Sequence, residues 1–234
     1  MAAHLRLLVF DLDGTLIDSS LDLCNSINAT LASVGKPALP NATIASYIGD
    51  GAAMLVRRAL GDPGDADSSD PAADKYFRDA FSFFLRYYRQ HKLDNTYVYP
   101  GVLDSLQAIR SNHPEILMAV LTNKPVGPSR AICDALGLSP FFFQNYGGDS
   151  FPTKKPDPTG LLAILNEASQ LTGQPIPATD LVMVGDSDVD VLTARNIGAR
   201  SLGCSYGLAP HALAAAEPDL TVDSATDWPL ILGL

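Results

Sequence analysis

The apolar positions at the start of this chain run from Leu5 to Phe10, broken only by Arg6, and stop abruptly at Asp11. A short unbroken apolar run predicts a strand buried on both faces, as in a parallel sheet. From Leu21 to Lys92 the spacing changes to a helical one. Leu21 to Val34 predicts a helix stopped by Gly35-Lys36-Pro37. A second helical segment begins at about Asn41 or Thr43 and reaches Leu60, interrupted or recapped at Ile48-Gly49-Asp50-Gly51. Gly61 to Asp70 reads as an exposed loop, with Asp70 as a helix N-cap and Pro71 in the first turn. Lys75 to His91 then places Tyr76, Phe77, Phe81, Phe84, Leu85 and Tyr88 on one face, the pattern of a core-facing helix.

Beyond Tyr97 the pattern alternates strand and helix. Tyr97 to Gly101 reads as a return linker, followed by a helix from Val102 to Asn112 and a strand from Leu117 to Leu121. A helix from Pro125 to about Leu136, a short strand over Phe141 to Gln144 and a loop at Gly147-Gly148-Asp149 come next. Asp157 is placed to cap a helix reaching Leu171. Leu181 to Val184 and Arg200 to Cys204 predict two more strands around a helix that ends near Gly198, and Leu220 to Val222 a small edge strand. The predicted fold is therefore α/β, a Rossmann-like parallel sheet core over residues 1–17 and 93–234. A small all-helical cap, residues 18–92, is inserted after the first strand.

Composition narrows the classes of function. At 234 residues with 47% hydrophobic content, the chain has enough apolar material for a buried core. Its 26 acidic and 16 basic side chains give a formal charge of −10, which disfavours nucleic acid and anionic membrane surfaces as partners. Cys24, Cys133 and Cys204 are odd in number, far apart and outside any Cys-x-x-Cys pair, so neither a disulfide framework nor a zinc site is indicated and a cytoplasmic protein is expected. No run is long enough for a signal core or a membrane span.

In an open parallel sheet, ligands bind beyond the C-terminal strand ends. Asp11 and Asp13, Thr122 and Asn123, and Asp186 and Asp190 all sit at such ends, with Lys154 and Lys155 at a nearby helix start. Asp11 and Asp13, two apart in extended chain, are expected to point at one spot, where their repulsion calls for a cation or a shared proton. The set offers a carboxylate nucleophile, oxygen ligands for a hard cation such as Mg2+, donors at a helix N-terminus and an ammonium. That inventory suits phosphoryl transfer, in which a metal and a lysine offset the repulsion between carboxylate and phosphate.

Asp11-Leu12-Asp13-Gly14-Thr15-Leu16-Ile17-Asp18-Ser19 resembles the first motif of the haloacid dehalogenase-like hydrolases. Thr122-Asn123, Lys155-Pro156 and Gly185-Asp186-Ser187-Asp188-Val189-Asp190 resemble the next three, in order along nearly the whole chain. Gly49-Asp50-Gly51-Ala52, Tyr99-Pro100-Gly101-Val102, Thr122-Asn123-Lys124-Pro125 and Lys154-Lys155-Pro156-Asp157-Pro158 resemble the phosphoglycolate phosphatase branch. The resemblance implies Asp11 as nucleophile and Asp13 as general acid and base. It also implies Mg2+ held by Asp11, Asp186 and the Asp13 carbonyl, phosphate held by Thr122 and Asn123, and Lys155 neutralising the developing charge. Asp190 would orient Lys155 or a metal-bound water, and Gly49, Asp50 and Gly51 would form a specificity loop on the cap.

The implied activity is a Mg2+-dependent phosphatase for a small phosphomonoester, phosphoglycolate being the first candidate. Sugar phosphates, nucleotides, pyrophosphate or a mutase reaction are alternatives, as is a metabolite-binding module without turnover. Asp188 is expected only to favour the helix dipole, and Arg57 and Arg58 to be solvated rather than to meet substrate. Tyr97 and Tyr99 either line the linker or pack, and His4, His91, His113 and His211 lie outside every cluster. Oligomeric state is not encoded in these patterns.

Overall fold

The first strand, β1 (Leu7–Phe10), is buried along its whole length, and it has a parallel neighbour on each side. The computed structural model describes residues 5–61 and 71–234, and the chain forms two compact units that divide at Asp18/Ser19 and Tyr97/Val98. The chain leaves the first unit through β2 (Ile17–Asp18) and returns through β3 (Tyr97–Val98), which pair as a two-stranded ribbon. The linker motif therefore contains a short strand that its Tyr-Pro-Gly composition did not announce.

The inserted unit is helical: α1 (Ser20–Ser33), α2 (Asn41–Ala45), α3 (Ala52–Leu60) and α4 (Pro71–His91). The predicted break at Ile48 to Gly51 separates α2 from α3. Residues 62–70, including the Asp70 cap expected from the sequence, lie outside the described residues. The unit's own core joins Leu23, Ile27 and Leu31 of α1 to Leu55 and Val56 of α3 and to Phe84 and Tyr88 of α4. Phe77, Phe81 and Leu85 pack against that core, whereas Tyr76 is 40% exposed. A step of about 100° per residue carries Tyr76 off the stripe defined by Phe77, Phe81, Phe84 and Tyr88.

One polar contact ties the two ends of this unit together. The buried Asp22 carboxylate on α1 accepts from the Asn95 N–H at 3.0 Å and Nδ2 at 2.8 Å, and from the Thr96 N–H at 2.9 Å and Oγ1 at 2.7 Å. A buried carboxylate is tolerated only with such a full set of donors.

The core unit continues with α5 (Val102–Asn112), β4 (Leu117–Leu121), α6 (Val126–Ala135), β5 (Gln144–Tyr146) and α7 (Thr159–Thr172). Then follow β6 (Leu181–Gly185), α8 (Asp188–Arg195), β7 (Arg200–Cys204), α9 (Pro210–Ala216), β8 (Leu220–Val222) and α10 (Trp228–Leu232). Six of the described strands form one parallel sheet in the order β5-β4-β1-β6-β7-β8. Alternation along each strand splits the core into two layers. Leu8, Phe10, Val120, Val184, Leu106, Ile109, Ile132 and Trp228 fill one layer. Leu7, Val9, Ala119, Met183, Leu161, Ile164 and Ala194 fill the other.

Two sequence readings are corrected. The strand expected at Phe141 to Gln144 lies at Gln144–Tyr146, because Phe141 and Phe142 pack into the first layer from a 3-10 turn while the ladder forms downstream. The helix expected to reach Gly198 ends its regular turns at Arg195. Asp157 does serve the start of α7, accepting from the Thr159 N–H at 2.9 Å.

From β1 the chain moves to β4 and β5 on one side, then crosses back to β6 on the other. The direction therefore reverses beside β1, and its C-terminal end faces the crevice that such a reversal leaves.

Asp22→Ala removes the acceptor for four hydrogen bonds and leaves buried donors unsatisfied. It is expected to destabilise the protein by about 2–4 kcal/mol, read as a lower midpoint in urea unfolding with the slope unchanged.

Candidate active site

Phe10 is in register with Val120 of β4 and Val184 of β6, so the three strands carry Asp11, Thr122 and Asp186 to one end of the sheet. The Asp11 N–H donates to the Val184 carbonyl at 2.8 Å, which fixes its main chain where the ladder ends. Lys155, from the segment before α7, reaches the same point. Its Nζ donates to Asp11 Oδ1 at 2.7 Å and to Asp190 Oδ1 at 2.6 Å, with all three side chains buried. Its main chain is fastened by Asn123, whose Nδ2 donates to the Lys155 carbonyl at 3.1 Å.

Asp190 is itself held. Its Oδ2 accepts from the Ser187 N–H at 3.2 Å and Oγ at 2.8 Å, a capping box that starts α8. Asp186 accepts from the Leu208 N–H at 2.7 Å and from Thr15 Oγ1 at 3.4 Å. Tyr206 closes the arrangement by donating from its hydroxyl to the Thr15 carbonyl at 2.9 Å.

Asp11 and Asp13 have different ion-pair partners. Regular pairing ends at Phe10, so the two-residue alternation of a strand no longer governs Asp13. While Asp11 pairs with Lys155, Asp13 Oδ2 pairs with Lys124 Nζ at 2.9 Å. Thr122 Oγ1 accepts from the Lys124 N–H at 3.2 Å, and Asp149 Oδ1 accepts from the Val126 N–H at 2.7 Å. Part of the helix start that was expected to receive a phosphate thus binds the protein's own oxygens.

Burial raises the Asp11 carboxyl to about 6; Lys155 opposes this shift, and Asp190 and Asp13 add to it. Asp186 is raised well above the ordinary aspartate value by burial and then by the charges of Asp11 and Asp190. For Lys155, burial favours the neutral amine, but the two carboxylates outweigh it and hold the pKa above the usual lysine value.

Ligand oxygens of Asp11, Asp186 and Asp190 lie within 4.8 Å of one another. All-carboxylate donors suit a hard divalent cation rather than zinc. Among the described residues, Lys155 pairs with Asp11 and Asp190 and Lys124 with Asp13, so carboxylates outnumber ammonium groups in this cluster.

The sequence-predicted residues Asp11, Lys155, Asp186 and Asp190 come together here, with Asn123 bonded to the Lys155 main chain. Gly49 (φ 127°), Asp50 and Gly51 (φ 88°) belong to the helical unit. There, Arg58 pairs with the Asp50 carboxylate and donates to the Tyr47 carbonyl at 3.3 Å, and Arg57 stacks over Phe77 with its guanidinium 4.0 Å from the ring centre. Neither arginine is simply solvated.

Lys124, Thr15 and the Tyr206-Gly207-Leu208 turn were missed. The turn follows β7 at the same end of the sheet, so the strand-end rule that found the other clusters would have found it too.

These features define a carboxylate-centred site at the reversal point of a parallel α/β sheet. A family model described as haloacid dehalogenase-like hydrolase matches residues 8–204, and the chain belongs to that family. Among its relatives, a phosphoglycolate phosphatase from Chromobacterium violaceum is 39% identical over 224 residues, covering 96% of this chain and 95% of the relative. A phosphoglycolate phosphatase from Vibrio vulnificus is 35% identical over 227 residues, covering 94% and 93%. The crystal structure of a predicted phosphoglycolate phosphatase from Haemophilus somnus superposes with a TM-score of 0.84 at 29% identity, covering 99% of both chains.

Gly207 packs so tightly that an added Cβ would stand 2.3 Å from Asp186 Cβ and 2.5 Å from the Gly14 carbonyl oxygen. Gly207→Ala is therefore expected to displace Asp186 and cost about 1–3 kcal/mol of stability. Gly127→Ala, with open space around it in α6, should be neutral or stabilising. Melting temperatures of the two variants check this contrast.

Proposed function

We propose that this protein is a Mg2+-dependent phosphatase that hydrolyses a small phosphomonoester, 2-phosphoglycolate foremost, through an aspartyl-phosphate on Asp11. The observation that carries the proposal is the buried Lys155 bridge between Asp11 and Asp190, with Asp186 beside it. Family membership supports the reaction, and the relatives' names support the substrate.

In this reading a carboxylate oxygen of Asp11 attacks phosphorus, and the bond from phosphorus to the ester oxygen breaks. Asp13 gives its proton to the departing alkoxide. It then takes a proton from the water that attacks the phosphorylated Asp11, which releases inorganic phosphate and restores the free carboxylate. Lys155 stays protonated and offsets charge on Asp11 and the phosphoryl oxygens, while Asp190 keeps Lys155 aimed. Asn123 fastens Lys155, and Thr122 and Asn123 offer donors to the phosphate. Asp11, Asp186 and the Asp13 carbonyl would hold Mg2+. When bound, the ion reduces the repulsion between an anionic nucleophile and an anionic substrate.

The helical unit serves in this proposal as the cap that reads the leaving group, through the Gly49 to Gly51 loop braced by Arg58. A cytoplasmic setting is part of the same reading, supported by three buried cysteines. Among the described residues, no helix is long and apolar enough to cross a membrane.

Purified protein with Mg2+ should release phosphate from 2-phosphoglycolate with a higher kcat/KM than from sugar phosphates, nucleotides or pyrophosphate. Preference for one of those would overturn the substrate assignment. Asp11→Asn should lower turnover by at least about 10³-fold, and an active variant would sink the mechanism.

Protons compete with a divalent ion for Asp11 and Asp186. Because Asp11 titrates near 6, its carboxylate is available above about pH 6 and lost as pH falls through it, and the raised pKa of Asp186 adds a second competing proton. Calorimetric Mg2+ affinity should therefore weaken by roughly tenfold or more between pH 7 and pH 5, given one or more protons displaced on binding.

A further inference from the structure

The two lysines of the site have different surroundings. Lys155 lies between Asp11 and Asp190. Lys124 is equally buried but pairs with Asp13, its Nζ 2.9 Å from Asp13 Oδ2. Two contacts fix the main chain around Lys124. Its N–H donates to Thr122 Oγ1 at 3.2 Å, and its carbonyl accepts from the Gly148 N–H at 2.9 Å. A buried ammonium is costly to keep, and the phosphoryl chemistry of Asp11 makes no use of this one.

We propose that Lys124 is a specificity-determining residue, the cation that binds a carboxylate carried by the leaving group next to the ester oxygen. This rests on the reading of Asp13 as the group that meets that oxygen. A proton donor must come within about 2.6–3.2 Å of its acceptor, and Lys124 Nζ is one contact further on. Whatever is bonded to the ester oxygen therefore lies near Lys124. In 2-phosphoglycolate the carboxylate is one carbon from that oxygen, within reach of the ammonium. A neutral hydroxymethyl group in its place gains far less from a buried cation. A lysine suits the task because its charge is compact and its donors rotate, so it can serve Asp13 and a substrate carboxylate together.

The test compares 2-phosphoglycolate with 2-hydroxyethyl phosphate, which differs in lacking the carboxylate charge. Wild-type enzyme should prefer 2-phosphoglycolate, and Lys124→Met should shrink the ratio of the two kcat/KM values at least about tenfold, whatever the absolute loss. Lys124→Arg, which keeps the charge, should retain more of the ratio than Lys124→Met. Calorimetric titration with glycolate reports on the subsite without turnover, so it applies to a folded but inactive variant. Affinity should fall at least about tenfold in Lys124→Met, while that for inorganic phosphate changes less than threefold. If Lys124 acts only by holding Asp13, both esters decline in parallel and glycolate binding is unchanged, which overturns the subsite alone. A wild-type enzyme with no preference between the two esters overturns the phosphoglycolate reading as well.

Discussion

The structure depends on keeping a cluster of carboxylates together at the buried end of β1. Left to themselves, Asp11, Asp186 and Asp190 would repel one another in a medium where charges are weakly screened. Lys155 holds two of them, and the main chain and hydroxyl groups of Ser187 and Leu208 with Thr15 serve the rest. Each donor arrives from a different connection of the sheet. The register of β1 with its two neighbours is therefore a condition for the site, because a slip of one residue would send these groups to the wrong faces.

That dependence explains why the same few residues carry both fold and chemistry. Asp190 begins α8 through its capping box and at the same time aims Lys155. Asn123 follows β4 and fastens the Lys155 main chain. The price of this economy is that Asp11 and Asp186 sit where burial favours their protonated forms, so the resting cluster is poised to accept positive charge.

Much of this was legible in the sequence because it is local. A run of apolar residues ending in Asp predicts a strand delivering a carboxylate, and the reading holds for β1 and β6 alike. The helix read from Val102 to Asn112 has those boundaries in the structure. What could not be read depends on residues far apart in the chain. Asp22 looks like an ordinary first-turn acid, yet its partners are Asn95 and Thr96. The pairing of Asp13 with Lys124 depends on the turn after β4, and a strand-based expectation aimed Asp13 at Asp11 instead. At Phe141 and Phe142 the apolar signal marked packing against the sheet rather than membership of it, whereas the Phe143 N–H already donates to the Met118 carbonyl of β4 at 3.0 Å and the ladder continues through the more polar Gln144–Tyr146.

The chain's formal charge of −10 poses a last question, since an acidic protein repels the anions it would act on. Distance and burial decide which effect wins. Surface carboxylates more than about 8 Å away are largely screened at physiological ionic strength, whereas Lys124 and Lys155 stand in the protein interior beside the reacting groups. The field inside the site is therefore set by its nearest neighbours and not by the protein as a whole.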